Sequence, residues 1–393
     1  MQFDAVSTLL VAALILVGGQ FFVKHISWLR TFNIPVPVVG GLLATLVITG
    51  LRMSGIQLQF SNEFQAPLML LFFGSVGLSA NLRLIAAGGK ALVVFFLLVI
   101  GLLFLQNLVG VSICKLLGIN HVLGLLAGSI TMSGGHGTGA AWAQVFQEQY
   151  GVESAFELAM ASATFGLVFG SLLGGPVASL LMRRARRKGV DMHVAEAGDG
   201  AVSSSPEKRS VTTASVIHVL ACMLIGIVAG TWLSSLTAGT WLSLPTFVWS
   251  LFTCVVIGNI ARFSRLYEIN DEANDIVGNT ALSIFLALAL MNLKLWELAD
   301  LAMPMLIILA AQVVLVFFYV TQVTFRVMGS NYDAVVLVAG QCGFGMGATP
   351  TAVANMQAVT DRYGPSRLAF ILVPIVGGFL VDITNAIVIK LFL

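Results

Sequence analysis

Apolar residues fill most of this chain in runs of roughly 20, and short polar or charged stretches separate the runs. Ten runs stand out, at about residues 5–23, 35–51, 66–82, 91–114, 156–181, 214–236, 245–261, 277–293, 302–325 and 367–392. A helix needs about 20 predominantly apolar residues to cross a hydrocarbon core roughly 30 Å thick. The pattern therefore predicts an all-α polytopic membrane protein.

Two glycine-rich segments interrupt this pattern, at about residues 121–146 and 333–357. Their centres read Ser133-Gly-Gly-His-Gly-Thr-Gly139 and Gly343-Phe-Gly-Met-Gly-Ala-Thr-Pro350. Irregular backbone at membrane depth persists only where it is buried in protein or lines a wet cavity. We expect each segment to be a re-entrant loop that dips into the membrane and returns to the same side.

The two halves of the chain match at a nearly constant offset, which indicates an internal duplication. The matching positions are Pro35 with Pro245, Leu82-Arg-Leu84 with Leu293-Lys-Leu295, Gly135-x-Gly137 with Gly345-x-Gly347, and Tyr150-Gly151 with Tyr363-Gly364. The predicted repeats are residues 1–182 and 214–393, joined by a linker at 183–213. Each repeat holds five transmembrane helices and one re-entrant glycine-rich loop, and the odd number of helices makes the second repeat inverted.

The positions of the charged residues support this topology. With the Arg-rich central loop placed in the cytoplasm, sixteen of the 20 Lys and Arg residues fall on the inner side, as the positive-inside rule requires. Both termini are then periplasmic. The composition agrees, because only 10% of the residues are charged and 58% are hydrophobic, whereas a soluble domain carries about 25% charged residues. No basic patch for nucleic acid is present, and the four cysteines show neither metal-ligand nor disulfide spacing.

The inverted topology brings the tips of the two glycine loops together near the membrane midplane. Broken helices there offer N–H groups to carboxylates, and their carbonyl groups can coordinate Na⁺. The candidate substrate-binding residues are Ser133, Gly134, Gly135, His136, Gly137, Thr138, Gly345, Gly347, Thr349, Thr351 and Arg367. Tight helix packing through small residues is the alternative. It is the preferred explanation for Gly166-x-x-x-Gly170, but it accounts poorly for the two dense segments.

Two of these candidates also have explanations that do not involve the substrate. His136 can bind substrate or shuttle a proton, but a histidine among glycines more often bonds to the backbone. Arg367 can pair with a carboxylate, or it can anchor the last helix at the cytoplasmic face.

Polar residues inside the apolar runs provide candidates for an ion site. Asp382 and Asn385 share one face of the last run, and Asn355 follows the second glycine segment. A carboxylate in mid-membrane costs roughly 2.5–3.5 kcal/mol, so it needs a partner. That partner is either Na⁺ or a structural hydrogen bond. Three amides of the fourth runs, which are Gln106, Asn107 and Gln312, are expected to pair across helices rather than bind ligand.

The motifs resemble those of bacterial sodium/glutamate symporters. The resemblance rests on residues 129–142, which read SITMSGGHGTGAAW, on residues 342–356, which read CGFGMGATPTAVANM, and on Ile34-Pro-Val-Pro-Val-Val-Gly-Gly41 and Asn292-Leu-Lys-Leu-Trp-Glu-Leu298. It extends over essentially the whole chain apart from the central linker. The resemblance implies Na⁺-coupled uptake of L-glutamate across a bacterial inner membrane, a homodimer, elevator-like alternating access, and no cofactor beyond Na⁺ as coupling ion.

Three other functions stay open at this point. The first is a Na⁺-coupled carrier of another di- or tricarboxylate, such as citrate or aspartate, with the same architecture. The second is a membrane-embedded enzyme, which is disfavoured because no HExxH or GxSxG motif occurs and His136 has no carboxylate nearby in sequence. The third is a channel, which has no need of an alternating repeat pair.

Overall fold

The computed structural model describes residues 2–32, 34–82, 89–187, 210–240, 243–264, 269–291 and 301–393. Helices account for all ten predicted apolar runs and for both interrupted segments. In the first half they are α1 (Ala5–His25), α2 (Ser27–Thr31), α3 (Val36–Met53), α4 (Gln65–Ser79), α5 (Gly89–Leu117), α6 (His121–Ile130), α7 (Gly135–Tyr150) and α8 (Ala155–Arg187). In the second half they are α9 (Thr213–Thr237), α10 (Thr246–Ser264), α11 (Asp271–Met291), α12 (Ala302–Val327), α13 (Tyr332–Phe344), α14 (Thr349–Tyr363) and α15 (Arg367–Lys390).

Local signals explain where several helices begin. Asp4 accepts a hydrogen bond from the Ser7 amide at 2.9 Å and caps α1. Thr212 and Ser215 form a reciprocal capping box at the start of α9. At the end of the first half, α8 continues through residues 183–187 of the expected linker. Residues 188–209 of that linker lie outside the described residues, and so does the motif at 292–298.

The helix lengths and compositions are those of a multi-pass membrane protein. Within the described ranges, nine helices are long and apolar enough to cross a membrane. The remaining apolar run, at about residues 66–82, forms α4, a helix of 15 residues that is about 22 Å long. Three helices contain a π-helical segment, at Leu126–Ile130, Tyr319–Thr324 and Val376–Leu380. The first π segment lies inside the first glycine-rich segment, and the other two precede and follow the second one in the chain. Such π segments often mark functional sites.

The described chain forms two compact units that do not follow the sequence halves. The first unit comprises Met1–Asn81, His136–Met160 and Val211–Ala302, and the second comprises Leu82–Gly135, Ala161–Ser210 and Met303–Leu393. Each unit therefore takes helices from both predicted repeats. The first unit holds α1, α3, α4, α9, α10 and α11 with most of α7. The second holds α5, α6, most of α8, and α12 to α15.

Amides and an arginine bond to the backbone around the C-terminal end of α4, within the first unit. Asn259 donates to the carbonyl of Ala80 at 2.8 Å, and Arg262 donates to that of Leu78 at 2.8 Å. Arg262 also pairs with Asp271 at 2.9 Å, so one side chain joins α4, α10 and the start of α11. These bonds satisfy carbonyl groups that a helix leaves without internal partners at its C-terminal end.

Candidate functional site

The first break in the second unit lies between α6 and α7. Gly128 has a non-helical conformation (φ −93°, ψ −137°) inside the π segment, and the chain then turns through residues 131–134. The Ser129 amide N–H is not used within the helix and donates instead to Asn107 Oδ1 at 2.9 Å. Close approach of α5 and α6 at Gly110 and Gly124 holds this segment in place, because a Cβ on either glycine would clash with the other's backbone.

The second break lies between α13 and α14. The Gly345 amide donates to the carbonyl of Gln341 at 2.8 Å as α13 ends. After the turn, α14 begins at Thr349, with Pro350 in its first turn, where a missing N–H costs nothing. Thr349 Oγ1 donates to the carbonyl of Gly377 at 2.8 Å. Thr351 is fully buried two residues later, and its Oγ1 has no protein partner.

The structure brings the tips of the two breaks together within the second unit. Gln106 of α5 donates from Nε2 to the carbonyl of Gly345 at 2.8 Å, and its Oε1 accepts from Ser133 Oγ at 2.8 Å. Ser133 Oγ also lies 3.4 Å from the Gly345 carbonyl oxygen. Gly135 has φ +66°, and a Cβ placed there would lie 3.2 Å from the Gly347 carbonyl oxygen. One glutamine therefore links both glycine segments.

The glycines of α8 support the second break by packing. A Cβ at Gly166 would collide with the Met346 carbonyl oxygen, and one at Gly170 would lie 3.2 Å from the carbonyl oxygens of Cys342 and Gly343. The expectation that Gly166 and Gly170 serve close helix packing is confirmed. The packing partner is the broken segment itself.

Three of the predicted substrate residues, His136, Gly137 and Thr138, belong to the first unit. All three are buried at the start of α7. Gly137 leaves room for an aromatic ring, because an added Cβ would lie 2.6 Å from Phe72 Cε1. Packing therefore explains this glycine within its own unit.

The predicted ion ligands occupy different surroundings. Asn385 is fully buried in α15 and donates from Nδ2 to the Ser129 carbonyl at 2.9 Å, which leaves its Oδ1 without a protein partner. Asp382 lies one turn earlier and is half-buried. Asn355 donates from Nδ2 to the carbonyls of Gly170 at 2.9 Å and Ala339 at 3.3 Å, so it joins α8, α13 and α14. Asn385 contacts the first break directly, whereas Asn355 fastens helices together.

Arg367 lies apart from the two breaks. It begins α15 after Gly364 ends α14, and a helix of 15 residues places that end about 22 Å from Thr349. Its side chain is exposed in a surface groove that Gln357, Asp361 and Ser366 also line. This position favours the membrane-face anchor over contact with a carboxylate.

Several side chains near the breaks have buried polar atoms without a protein partner, and sequence reasoning missed Gln341 among them. Gln341 is fully buried in α13, and neither atom of its amide has a protein partner. Gln312 donates to the Gln106 carbonyl at 2.7 Å, and its Oε1 has none. Asn107 and Ser129 also leave buried polar atoms unpaired. A glutamine four residues before a glycine break is a sequence signal that could have identified Gln341.

Long apolar helices, with two broken segments that meet inside one unit, are features of a multi-pass membrane transporter. The model of the sodium/glutamate symporter family matches residues 1–365, and the chain belongs to that family. This confirms the resemblance that the glycine motifs indicated.

Curated relatives agree. The chain is 48% identical over 396 residues to the sodium/glutamate symporter of Escherichia coli strain K12, which covers 99% of this chain and 97% of that protein. It is 47% identical over 391 residues to the sodium/glutamate symporter of Haemophilus influenzae, covering 99% and 96%. Among solved structures, a sodium/proton antiporter of Methanocaldococcus jannaschii matches with a TM-score of 0.41 and 15% identity over 97% of this chain and 95% of that one. That likeness is too low to carry an argument.

Proposed function

We propose that this protein imports L-glutamate across the bacterial inner membrane, driven by the entry of Na⁺. Family membership gives the transported solute and the coupling ion. The meeting of the two glycine breaks at Gln106, Ser133 and Gly345 is the observation that carries the site. None of the matches supports a citrate or aspartate carrier.

The two breaks hold the substrate carboxylates through backbone N–H groups and hydroxyl groups. Ser133, Gly134 and Gly135 contribute from the first break, and Gly345, Gly347, Thr349 and Thr351 from the second. Thr351 is the strongest side-chain candidate, because its buried hydroxyl has no protein partner and sits in the first turn of α14. A helix N-terminus attracts negative charge at that position. Three more residues are assigned to substrate binding on the sequence motif alone, and they are His136, Gly137 and Thr138.

The second glycine segment is re-entrant in this proposal, and contacts at its two ends support that topology. Tyr332 at the start of α13 donates through its hydroxyl to the Gly364 carbonyl at the end of α14. Ser366 Oγ donates to Asp333 Oδ1 at 2.6 Å. A segment whose entry and exit bond to each other leaves the membrane on the side where it entered. The proposed topology also includes inverted repeats at 1–182 and 214–393, a cytoplasmic linker and periplasmic termini.

Sodium binds near α15 in this proposal, with Asp382 and Asn385 as ligands. Asn355 is a third candidate ligand through its Oδ1, because two hydrogen bonds from its Nδ2 hold the side chain between α8 and α13. Coupling arises because the ion and glutamate stabilise the same closed site, so each raises the affinity for the other.

Transport proceeds by an elevator-like movement, in which the second unit carries the site and the first unit serves as scaffold and dimer contact. The division into two units, with both breaks meeting in the second, supports these roles. The mass of the detergent-solubilised protein tests the homodimer, because a monomeric mass would contradict it.

Radiolabelled glutamate uptake into proteoliposomes tests the function. We expect accumulation with an inward Na⁺ gradient and none with K⁺ in its place. Unlabelled glutamate should compete, whereas citrate should not. Uptake that does not depend on the Na⁺ gradient would contradict symport. Equal competition by citrate and glutamate would contradict the assigned solute.

A further inference from the structure

Two asparagines hold the backbone of Ser129, which lies in the π segment just before the first break. The Ser129 amide donates to Asn107 Oδ1 at 2.9 Å, and the Ser129 carbonyl accepts from Asn385 Nδ2 at 2.9 Å. All three residues are fully buried. The cluster therefore joins α5, α6 and α15 at one residue.

These two bonds fix the orientation of both amides. Asn107 presents Oδ1 to the backbone, so its Nδ2 is left over, and Asn385 presents Nδ2, so its Oδ1 is left over. Asn107 Nδ2, Asn385 Oδ1 and Ser129 Oγ each lack a protein partner. Buried polar groups are normally hydrogen-bonded, and three unpaired atoms around one residue call for a ligand.

The chemistry of the leftover atoms indicates what that ligand is. Two are oxygens with free lone pairs, which suit a cation, and the third is an N–H donor, which suits an anionic oxygen. Asp382 lies three residues before Asn385 on the same helix and adds negative charge on that side. The cluster as a whole fits a cation with a carboxylate beside it.

We propose that Ser129 Oγ and Asn385 Oδ1 are ligands of the Na⁺ ion and that Asn107 Nδ2 donates to a carboxylate of the glutamate bound next to it. This inference rests on the proposed function and specifies the place where ion and substrate meet. It adds Ser129 and Asn107 to the site, and it gives Asn107 a role in binding substrate as well as in joining helices.

The position of the cluster relative to the two breaks supports direct coupling. Asn107 is the neighbour of Gln106, whose side chain bonds to Ser133 and to the Gly345 carbonyl. Ser129 lies four residues before Ser133, in the π segment that leads into the first break. In this proposal a carboxylate bound at the tips contacts both the ion and Asn107, so that each ligand completes the other's site.

The test uses the full-length protein in proteoliposomes and measures the Na⁺ concentration that gives half-maximal glutamate uptake, together with the glutamate KM. Ser129→Ala removes one unpaired oxygen and no observed hydrogen bond of that side chain, so we expect the half-saturating Na⁺ concentration to rise about tenfold. Ser162→Ala is the matched control, because Ser162 is also fully buried in the second unit with an unpaired hydroxyl. It should leave that concentration unchanged.

Asn107→Asp tests the donor, because it keeps the oxygen that accepts from Ser129 and exchanges only the amide nitrogen. We expect the glutamate KM to rise at least tenfold while the half-saturating Na⁺ concentration at saturating glutamate does not rise. Binding of ²²Na⁺ to purified protein without glutamate provides a second readout. Ser129→Ala should weaken that binding even if transport is too slow to measure.

The outcomes separate this inference from the proposed function. If the unaltered protein fails to accumulate glutamate under a Na⁺ gradient, the proposed function is wrong. If it does accumulate glutamate but Ser129→Ala behaves like Ser162→Ala in both Na⁺ assays, the cluster holds water and the inference is overturned. An Asn107→Asp protein with an unchanged glutamate KM would likewise remove Asn107 from the site.

Discussion

Replacing Gln106 by leucine should separate the two glycine breaks with little change in volume. The side chain makes two buried hydrogen bonds, one to the Gly345 carbonyl and one from Ser133. Hydrogen bonds between membrane helices average about 0.6 kcal/mol and reach about 1.7 kcal/mol. Two such bonds amount to roughly 1–3 kcal/mol of lost stability. The Gln106 carbonyl, which accepts from Gln312, is backbone and survives the substitution.

The functional effect should exceed a general loss of stability, because both broken bonds lie in the proposed substrate site. If half to all of the lost energy appears in binding, the glutamate KM rises by about 2-fold to 140-fold, since 1.4 kcal/mol corresponds to a factor of ten. Initial uptake rates in proteoliposomes give the KM, and thermal unfolding in detergent with and without glutamate gives the stability. Stabilisation by added glutamate should shrink in Gln106→Leu.

Gln312→Leu is the control for this experiment. It removes one bond to the Gln106 carbonyl but also removes an unpaired buried oxygen, so its cost in stability should be smaller. Its glutamate KM should stay within about twofold of the unaltered protein, which is below 0.5 kcal/mol. Equal KM values for the two variants would refute the conclusion that Gln106 positions the breaks.

Three further predictions test the site and the topology. Gly135→Ala should abolish uptake, because φ +66° strains an alanine by roughly 1–2 kcal/mol and its Cβ would press on the Gly347 carbonyl. Gly151→Ala is the control, because Gly151 has the same φ but open space around it. That variant should transport normally despite a similar loss of stability. Thr351→Val should raise the glutamate KM without loss of thermal stability, whereas Thr349→Val, which loses a hydrogen bond to a backbone carbonyl, should lower the unfolding temperature. Tags on both termini should be reached by membrane-impermeant reagents applied from the periplasmic side, and labelling of only one terminus would contradict an even number of crossings.

Helix positions followed from the sequence because each depends on a local property, the length of an apolar run. Both glycine breaks were also predictable, because glycine and proline act on the backbone where they stand. The pairing of Gln106 with Gly345 was not, since residues 239 apart in sequence meet only through tertiary packing. Arg367 shows the same limit. Its sequence position is compatible with a ligand and with a membrane-face anchor, and only the length of α14 shows that Arg367 follows the end of that helix far from the break.

The two structural units agree with the duplication that the sequence predicts. Each predicted repeat contributes its first three apolar runs to one unit and its fourth helix, much of its break and most of its fifth helix to the other. The unpaired buried atoms of Ser129, Asn107, Asn385 and Thr351 all lie in the second unit. Each costs about 1–3 kcal/mol while unsatisfied. In the proposed mechanism, an ion and a substrate that satisfy these atoms together stabilise the closed site by more than either does alone, and this difference couples glutamate entry to the sodium gradient.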